Sequence, residues 1–169
     1  MSVSNEHTQK ALDRFGKYIV QQAKNNLSKQ RKTVSKKLYD SIGYKVKVSK
    51  NSIELDLSME EYGKFVDLGV SGKKKIYNTP YKYTTKMPPA KVFDKWIVRK
   101  GIAPRSKKGT FENRKSISFA IAKSVFNNGI KPSLFISKPF EKGIKRLPDD
   151  IIEAYGLDIE TFLKQIING

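Results

Sequence analysis

The sequence contains no cysteine and only one histidine, His7, among its 169 residues. Without cysteine, the chain can form neither a disulfide framework nor a thiolate metal site. A single histidine near the N-terminus argues against imidazole acid–base chemistry and against a histidine-rich metal site. Several common designs of a catalytic centre are therefore excluded by composition alone.

Motifs for phosphate binding, metal-dependent cleavage and membrane insertion are also missing. No Gly-x-x-x-x-Gly-Lys-Ser/Thr phosphate loop occurs, and no Asp or Glu is followed two residues later by Lys, as in many metal-dependent nucleases. No apolar run approaches the length of a membrane span, and residues 1–9 lack the layout of a secretory signal. We therefore predict a soluble, intracellular protein that is not an enzyme, has no catalytic residue, cofactor or metal, and has no membrane partner.

What the sequence does contain is positive charge, arranged in blocks. Lys and Arg number 34 against 16 Asp and Glu, for a net charge of +18. Residues 10–50 carry 12 basic and 2 acidic side chains, and residues 71–115 carry 14 and 2. Residues 51–70 and 149–169 each carry 1 basic and 5 acidic side chains. This alternation is compatible with simple solvation, with nucleic-acid binding, or with contacts between basic and acidic surfaces of neighbouring copies.

The N-terminal part carries the clearest helical pattern. Apolar residues recur at steps of three and four, with Lys, Arg, Gln and Asn between them. This spacing predicts an amphipathic helix over about residues 8–28. After a basic connector, residues 38–42 are expected to re-enter the core as a short turn or helix that ends at Gly43.

A change to period two marks a hairpin over residues 44–57, with its turn at 49–52. Apolar residues alternate with Lys on the first strand and with Glu54 and Asp56 on the second. The lysines are expected to face the two carboxylates across the strands. Such opposite charges help to set the register of the hairpin.

Shorter helices and long loops are predicted for the middle of the chain. Ser58 and Glu61 have the spacing of a capping box, which predicts a helix that ends at Gly69. Two further helical patterns are closed by glycine, one over 92–97 before Gly101 and one over 117–125 before Gly129. Residues at about 71–87 and 103–115 are basic and lack a steady period, so we predict exposed loops there.

The segment 128–146 carries the densest set of positional signals. Pro132 stops the preceding helix, residues 134–136 form a compact apolar plug, and Pro139 suits the first turn of another helix. A C-terminal helical region at about 149–168 starts with Asp149 and Asp150, which suit the positive end of a helix dipole. Its many apolar residues predict that it is covered, either by its own subunit or by a neighbouring one.

Together these patterns predict an α+β fold in a single domain, residues 1–169. A long N-terminal helix packs on a small antiparallel sheet, and further helices occupy the C-terminal half. The basic loops extend from this core.

Four segments, taken in order, resemble a known family. They are Phe15-Gly16-Lys17-Tyr18, Leu38-Tyr39-Asp40-Ser41-Ile42, Tyr62-Gly63-Lys64-Phe65-Val66-Asp67-Leu68-Gly69-Val70, and Lys131-Pro132-Ser133-Leu134-Phe135 with Lys138-Pro139-Phe140. This series resembles the tail-completion and head-to-tail connector (neck) proteins of tailed bacteriophages. That family shows a Tyr-x-x-Phe/Tyr-Val-Glu/Asp-x-Gly segment and a Pro-Phe-Leu-type segment before a later helix. The matching residues here are Tyr62, Phe65, Val66, Asp67, Gly69, Pro132, Phe135, Pro139 and Phe140.

The resemblance implies a structural role in the virion, after assembly in the host cytoplasm. Such proteins form a homo-oligomeric ring that joins the portal to the tail around the DNA channel, in contact with other portal, connector and tail proteins. On this interpretation, assembly or channel-facing loops carry Lys73, Lys74, Lys75, Arg105, Lys107 and Lys108. Non-specific contact of these loops with channel DNA stays open. The alternative is a free-standing nucleic-acid-binding protein that uses the same loops.

Overall fold

The computed structural model describes residues 5–33, 35–49, 52–103, 105, 109–111 and 113–167, with side chains up to residue 165. The elements of this part of the chain are α1 (Glu6–Lys29), α2 (Lys37–Ser41), β1 (Gly43–Val48), β2 (Ile53–Ser58), α3 (Gly63–Leu68), a 3₁₀ turn (Ala90–Phe93), α4 (Asp94–Arg99), α5 (Arg114–Asn128), α6 (Ser137–Ile144) and α7 (Leu147–Ile167). The predicted α+β class, with a long N-terminal helix on a small antiparallel sheet, is confirmed.

The chain divides into two compact units. Unit 1 comprises Met1–Lys29, Tyr39–Glu60 and Phe135–Gly169, and unit 2 comprises Gln30–Leu38 and Glu61–Leu134. Unit 1 therefore takes its chain from three separate stretches. The single-domain organisation expected from the sequence is not tested by this division and stays a prediction.

Unit 1 is organised around α1. Its apolar residues recur every three or four positions, so they share one side of the helix and require a cover. The hairpin of β1 and β2, together with α6 and α7, packs against α1. The buried apolar residues of α1 are Ala11, Phe15, Ile19, Ala23 and Leu27. The helix predicted over 8–28 is thus confirmed.

The hairpin forms in the predicted register. Lys45 faces Asp56 and Lys47 faces Glu54 across the two strands. Lys47 also forms a salt bridge diagonally with Asp56, and this contact raises the pKa of the Lys47 ammonium above its ordinary value. Both partners are at least half exposed, so the pair contributes little stability.

The first turn of α1 is capped by a residue far away in the sequence, Asp158 of α7. Its carboxylate accepts the backbone N–H of His7 at 2.9 Å and of Thr8 at 3.0 Å, and the Thr8 hydroxyl donates to it at 2.9 Å. Burial alone would raise the pKa of Asp158, but these three hydrogen bonds favour the carboxylate, and its pKa lies below the ordinary value. Asp158 thus serves as a distant N-cap of α1.

One face of α7 is covered and an adjacent face is not. Ala154 and Asp158 are buried, and α7 packs on α1. Ile152, Tyr155 and Leu163 remain exposed by 71%, 52% and 50%. Its own subunit therefore leaves the second face of α7 uncovered, and cover by a neighbouring subunit stays a prediction.

Helix α3 of unit 2 starts later in the sequence than predicted. The capping box predicted at Ser58 is wrong, because Ser58 pairs with Gly43 and ends β2. The helix begins at Gly63, after Tyr62 in the N-cap position, and no side chain caps it. It ends at Gly69, as predicted. Because Ser58 pairs with Gly43 at the end of the hairpin, it adopts a strand conformation and cannot cap a helix.

The helices later in unit 2 keep their predicted glycine ends. The predicted helix at 92–97 forms as a 3₁₀ turn followed by α4, and a turn at Gly101 follows. In α5, Ser118 and Ala122 are the buried residues, and Ser124 is exposed. The second basic loop is shorter than predicted, because α5 already starts at Arg114 with Asn113 as its N-cap.

Of the apolar plug predicted at residues 134–136, only Phe135 is fully buried, and Ile136 is half-buried. Phe135 is fully buried in unit 1. Leu134 is 42% exposed and adopts a left-handed backbone conformation with φ of 50°. Pro139 is buried in the first turn of α6, as predicted.

Candidate assembly surface

Two of the family-like segments meet in unit 2. Val70 and Ile130 exchange both backbone hydrogen bonds, at 2.9 and 2.7 Å. The hydroxyl and the backbone N–H of Ser133 both donate to the C=O of Val66, at 2.6 and 3.2 Å. The backbone N–H groups of Ser133 and Leu134 also donate to the C=O of Asp67. We call this arrangement of residues 66–72 and 126–134 the junction.

Two glycines with left-handed backbone allow the junction to close. Gly129 has φ of 70°, and a Cβ atom there would lie 2.1 Å from the carbonyl oxygen of Val70. Gly69 has φ of 74°, and a Cβ there would lie 2.5 Å from the oxygen of Ile130 and 2.7 Å from the ring of Pro132. Only glycine adopts this φ without strain and also leaves room for the opposing backbone. Gly69 and Pro132 of the family-like segments, together with Gly129 outside them, thus have a packing role.

Asp67, the acidic residue of the first family-like segment, is 2% exposed. Lys32 lies near enough to Asp67 for the two charges to interact, and Lys131 lies near enough to Lys32. Burial lowers the pKa of the Lys32 ammonium, the negative charge of Asp67 opposes this shift, and Lys131 adds to it. A buried carboxylate beside cations is typical of a structural ion cluster as well as of a reactive site.

The basic loop, residues 71–87, has a fixed base and an exposed tip. The Ser71 hydroxyl is buried; it donates to the C=O of Tyr77 and accepts the N–H of the same residue. Backbone N–H groups at the tip donate to carbonyls at the end of α5, Lys73 to Phe126 and both Lys74 and Lys75 to Asn127. The backbone of the lysines is therefore anchored while their side chains stay exposed.

Aromatic rings support this loop. Phe65 packs edge-on against Tyr81 with ring centroids 4.6 Å apart, and Tyr83 packs against Phe126 at 6.1 Å. Burial raises the pKa of Tyr83. Tyr81 and Tyr83 are thus part of the packing under the loop, and each has one side of its ring against another aromatic ring.

The tip of the loop combines positive charge with an exposed apolar side chain. The Lys73 ammonium lies 5.6 Å from the Phe126 ring centroid, and that of Lys75 lies 5.6 Å from the Tyr77 ring. Ile76 follows directly and is 76% exposed. The sequence analysis missed Ile76, although an isoleucine inside a run of lysines is itself a signal. Such a tip can contact an acidic protein surface that also offers apolar area.

The second set of predicted loop cations is only partly described. The Arg105 guanidinium lies 4.3 Å from the ring centroid of Phe111 and donates to the C=O of Gly109 at 3.2 Å. This short hairpin-like contact includes a bridge between Arg105 and Phe111. Lys107 and Lys108 lie outside the described residues.

Phe135 and the Lys138-Pro139-Phe140 part of the last family-like segment belong to unit 1. The C=O of Phe135 accepts a hydrogen bond from the Asn26 amide of α1 at 3.1 Å. Phe140 packs edge-on against Phe15 with centroids 5.8 Å apart. These residues attach α6 to α1, so their role in this structure is packing.

An apolar stripe on α7 is the second exposed surface. We define the stripe as Ile152, Tyr155, Ile159 and Leu163, which recur at steps of three and four and therefore share one side of the helix. Ile159 is half-buried and the other three are exposed. The acidic residues Asp149, Glu153 and Glu160 are exposed on the same helix.

Comparisons with protein-family models, with curated proteins and with solved structures found no match for this chain. Within the described residues, no cluster of three or more His, Asp or Glu side chains could hold a metal ion. The described helices include none that is long and apolar enough to cross a membrane. Membership of the phage neck family stays a prediction from the residues themselves.

Proposed function

We propose that this chain is a structural subunit of the neck of a tailed bacteriophage, where copies form a ring around the DNA channel between the portal and the tail. The observation that carries the proposal is the exposed stripe of α7. A row of large apolar side chains on one side of a helix is typical of a surface that another protein covers. The kind of assembly is inferred from the resemblance of the four family-like segments to phage neck proteins.

The occupant of the stripe that we favour is a second copy of the same chain. The stripe is accompanied by acidic side chains, in a segment with 1 basic and 5 acidic residues. The basic loop presents three lysines and the apolar Ile76. Charge and apolar character are therefore complementary between the stripe of one copy and the loop of another. Contacts between two different patches generate closed rings when the rotation between copies closes.

The first test is quantitative mass spectrometry of gradient-purified virus particles from the culture that encodes this chain. We expect the chain at a small, fixed copy number relative to the capsid protein. Absence from particles, with the chain abundant in the cell extract, would contradict the proposal.

The second test reverses the charge of the loop tip with Lys73→Glu, Lys74→Glu and Lys75→Glu. We expect particle assembly to fail while the purified subunit keeps its thermal unfolding temperature, because the three side chains are exposed. The matched control reverses three exposed lysines elsewhere in unit 2, Lys91, Lys95 and Lys123. Assembly should continue with this control. A subunit that unfolds after the loop reversal would assign these lysines to the fold and not to assembly.

A further inference from the structure

Unit 1 contains a cleft of about 570 Å³ between α1 and the corner where α6 leads into α7. Its volume lies within the range of about 300 to 1,000 Å³ that is usual for sites of small organic ligands. Every residue that lines it belongs to unit 1. No residue of the basic loop or of the junction lines the cleft.

The floor of the cleft is apolar and aromatic. Ala11 and Phe15 of α1 are buried there, and Tyr18, one turn further along, is 39% exposed. Gly143 of α6 lies opposite, where a Cβ atom would come within 2.7 Å of the Phe15 ring and 3.3 Å of the Tyr18 ring. The missing side chain at Gly143 thus lets α6 approach α1 closely and leaves the Tyr18 ring accessible.

The rim of the cleft is strongly basic. Four cations line it, Arg14 from α1 and Lys142, Lys145 and Arg146 from the other wall, against a single carboxylate, Asp150. All four cations are exposed. None of the salt bridges found between described residues includes any of them. Like charges gathered in this way repel one another, and an anionic ligand would relieve the repulsion.

The combination of an accessible aromatic ring with several cations fits a nucleotide, which carries both a base and a phosphate group. Single-stranded nucleic acid offers both features, since its bases can stack on an aromatic side chain while its phosphates contact Lys and Arg. A duplex keeps its bases stacked inside and offers only phosphates to the rim. An acidic polypeptide offers charge without an aromatic base.

We propose that this cleft binds a nucleotide of single-stranded nucleic acid, with its phosphates on the four cations and its base against Tyr18. This inference does not rest on the proposed neck function, because the cleft is formed within unit 1 of one chain. It also differs from the nucleic-acid-binding alternative considered from the sequence, which assigned the contacts to the loops.

The test measures fluorescence anisotropy of a labelled oligothymidylate with the full chain at several salt concentrations. The Lys142→Gln, Lys145→Gln double variant should bind about 10-fold more weakly, and its slope of log affinity against log salt should be smaller by about 1.4, for two lost phosphate contacts on a single strand. The matched control is the Lys29→Gln, Lys45→Gln variant, which removes the same charge from exposed positions of unit 1 outside the cleft. Its salt slope should equal that of the unchanged chain.

A second variant, Tyr18→Leu, separates stacking from charge. We expect it to weaken binding of the single strand several-fold without a change in the salt slope. A labelled duplex of the same length should bind more weakly than the single strand, and poly-glutamate of equal charge should compete poorly. Circular dichroism of each variant verifies folding.

Four outcomes would overturn the proposal. They are no measurable binding by the unchanged chain, an equal loss of affinity in the cleft variant and its control, equal affinity for duplex and single strand with no effect of Tyr18→Leu, and competition by poly-glutamate as strong as that by unlabelled oligothymidylate. Equal losses would reduce the binding to net charge, and strong competition by poly-glutamate would indicate an acidic protein as the ligand.

Discussion

At the junction, backbone N–H and C=O groups pair between residues 66–72 and 126–134, whereas along α7 a row of apolar side chains stays exposed. The junction combines close backbone contact with two left-handed glycines, so its geometry tolerates little change. Substitutions in the stripe should disturb the packing of the subunit less, since Ile152, Tyr155 and Leu163 are at least half exposed. The family-like residues Val66, Asp67, Gly69 and Pro132 thus lie at the constrained junction, whereas the stripe of α7 contains no family-like residue.

The largest effect is expected at the junction, for Gly129→Ala. The new Cβ would lie 2.1 Å from the Val70 oxygen and would also occupy a left-handed conformation. Together these effects should lower the free energy of unfolding by about 2–4 kcal/mol. The matched control is Gly101→Ala, where φ is 64° but no atom lies within 4 Å of the new Cβ. The control should lose only about 1–2 kcal/mol. Equal losses in urea unfolding would show that strain at φ, not close packing, constrains the junction.

A smaller effect is expected for Asp158→Asn, which weakens the cap on α1. Asn keeps one acceptor oxygen but places an NH2 group where the second carboxylate oxygen accepts a hydrogen bond, so the free energy of unfolding should fall by about 1–2 kcal/mol. The folded-state pKa of Asp158 lies below its ordinary value, so its ionised form adds stability above the unfolded-state pKa of about 3.9. That stability is lost as the pH falls through the folded-state pKa. The difference between the two proteins should therefore shrink below about pH 4 in urea unfolding.

The control for this prediction is Glu153→Gln, an exposed change on the same helix. It should alter the free energy of unfolding by less than about 0.5 kcal/mol at neutral pH. A difference between the unchanged chain and Asp158→Asn that persists undiminished at pH 3 would contradict a role for the ionised carboxylate.

The smallest effect on stability is expected at the stripe, for Ile152→Ser. Because this side chain is 71% exposed, the free energy of unfolding of the monomer should change by less than about 0.5 kcal/mol. Self-association, measured by analytical ultracentrifugation, should nevertheless weaken. Ala154→Ser, on the buried face of the same helix, should instead destabilise the subunit. If Ile152→Ser destabilises the monomer as much as Ala154→Ser does, the stripe belongs to the core.

The sequence predicted best the elements whose pattern is both local and repeated. The apolar steps of α1 and the alternation of the hairpin required no knowledge of distant residues, and both predictions are confirmed. The capping box at Ser58 was wrong because the pairing with Gly43 on a neighbouring strand decided the conformation of Ser58. Local spacing could not reveal that competition.

The candidate surfaces were less accessible to sequence reasoning. The lysines at 73–75 are exposed, as predicted, but the anchoring of their backbone to the end of α5 depends on residues about fifty positions later. The basic cleft combines Arg14 with residues near the other end of the chain. These residues come together only when α6 packs on α1, so their spacing in the sequence does not reveal the cleft. The role of Asp158 was missed for the same reason.

The cap on α1 affects the order in which parts of this protein can fold during translation. Thr8 and the carboxylate that holds it are separated by 150 positions, with all of unit 2 encoded between them. The ribosome must therefore synthesise the chain as far as Asp158 before the first turn of α1 acquires this hydrogen-bond acceptor. The two stretches of unit 2 are synthesised before residues 135–167, so unit 2 can form its internal contacts earlier and is expected to fold before unit 1.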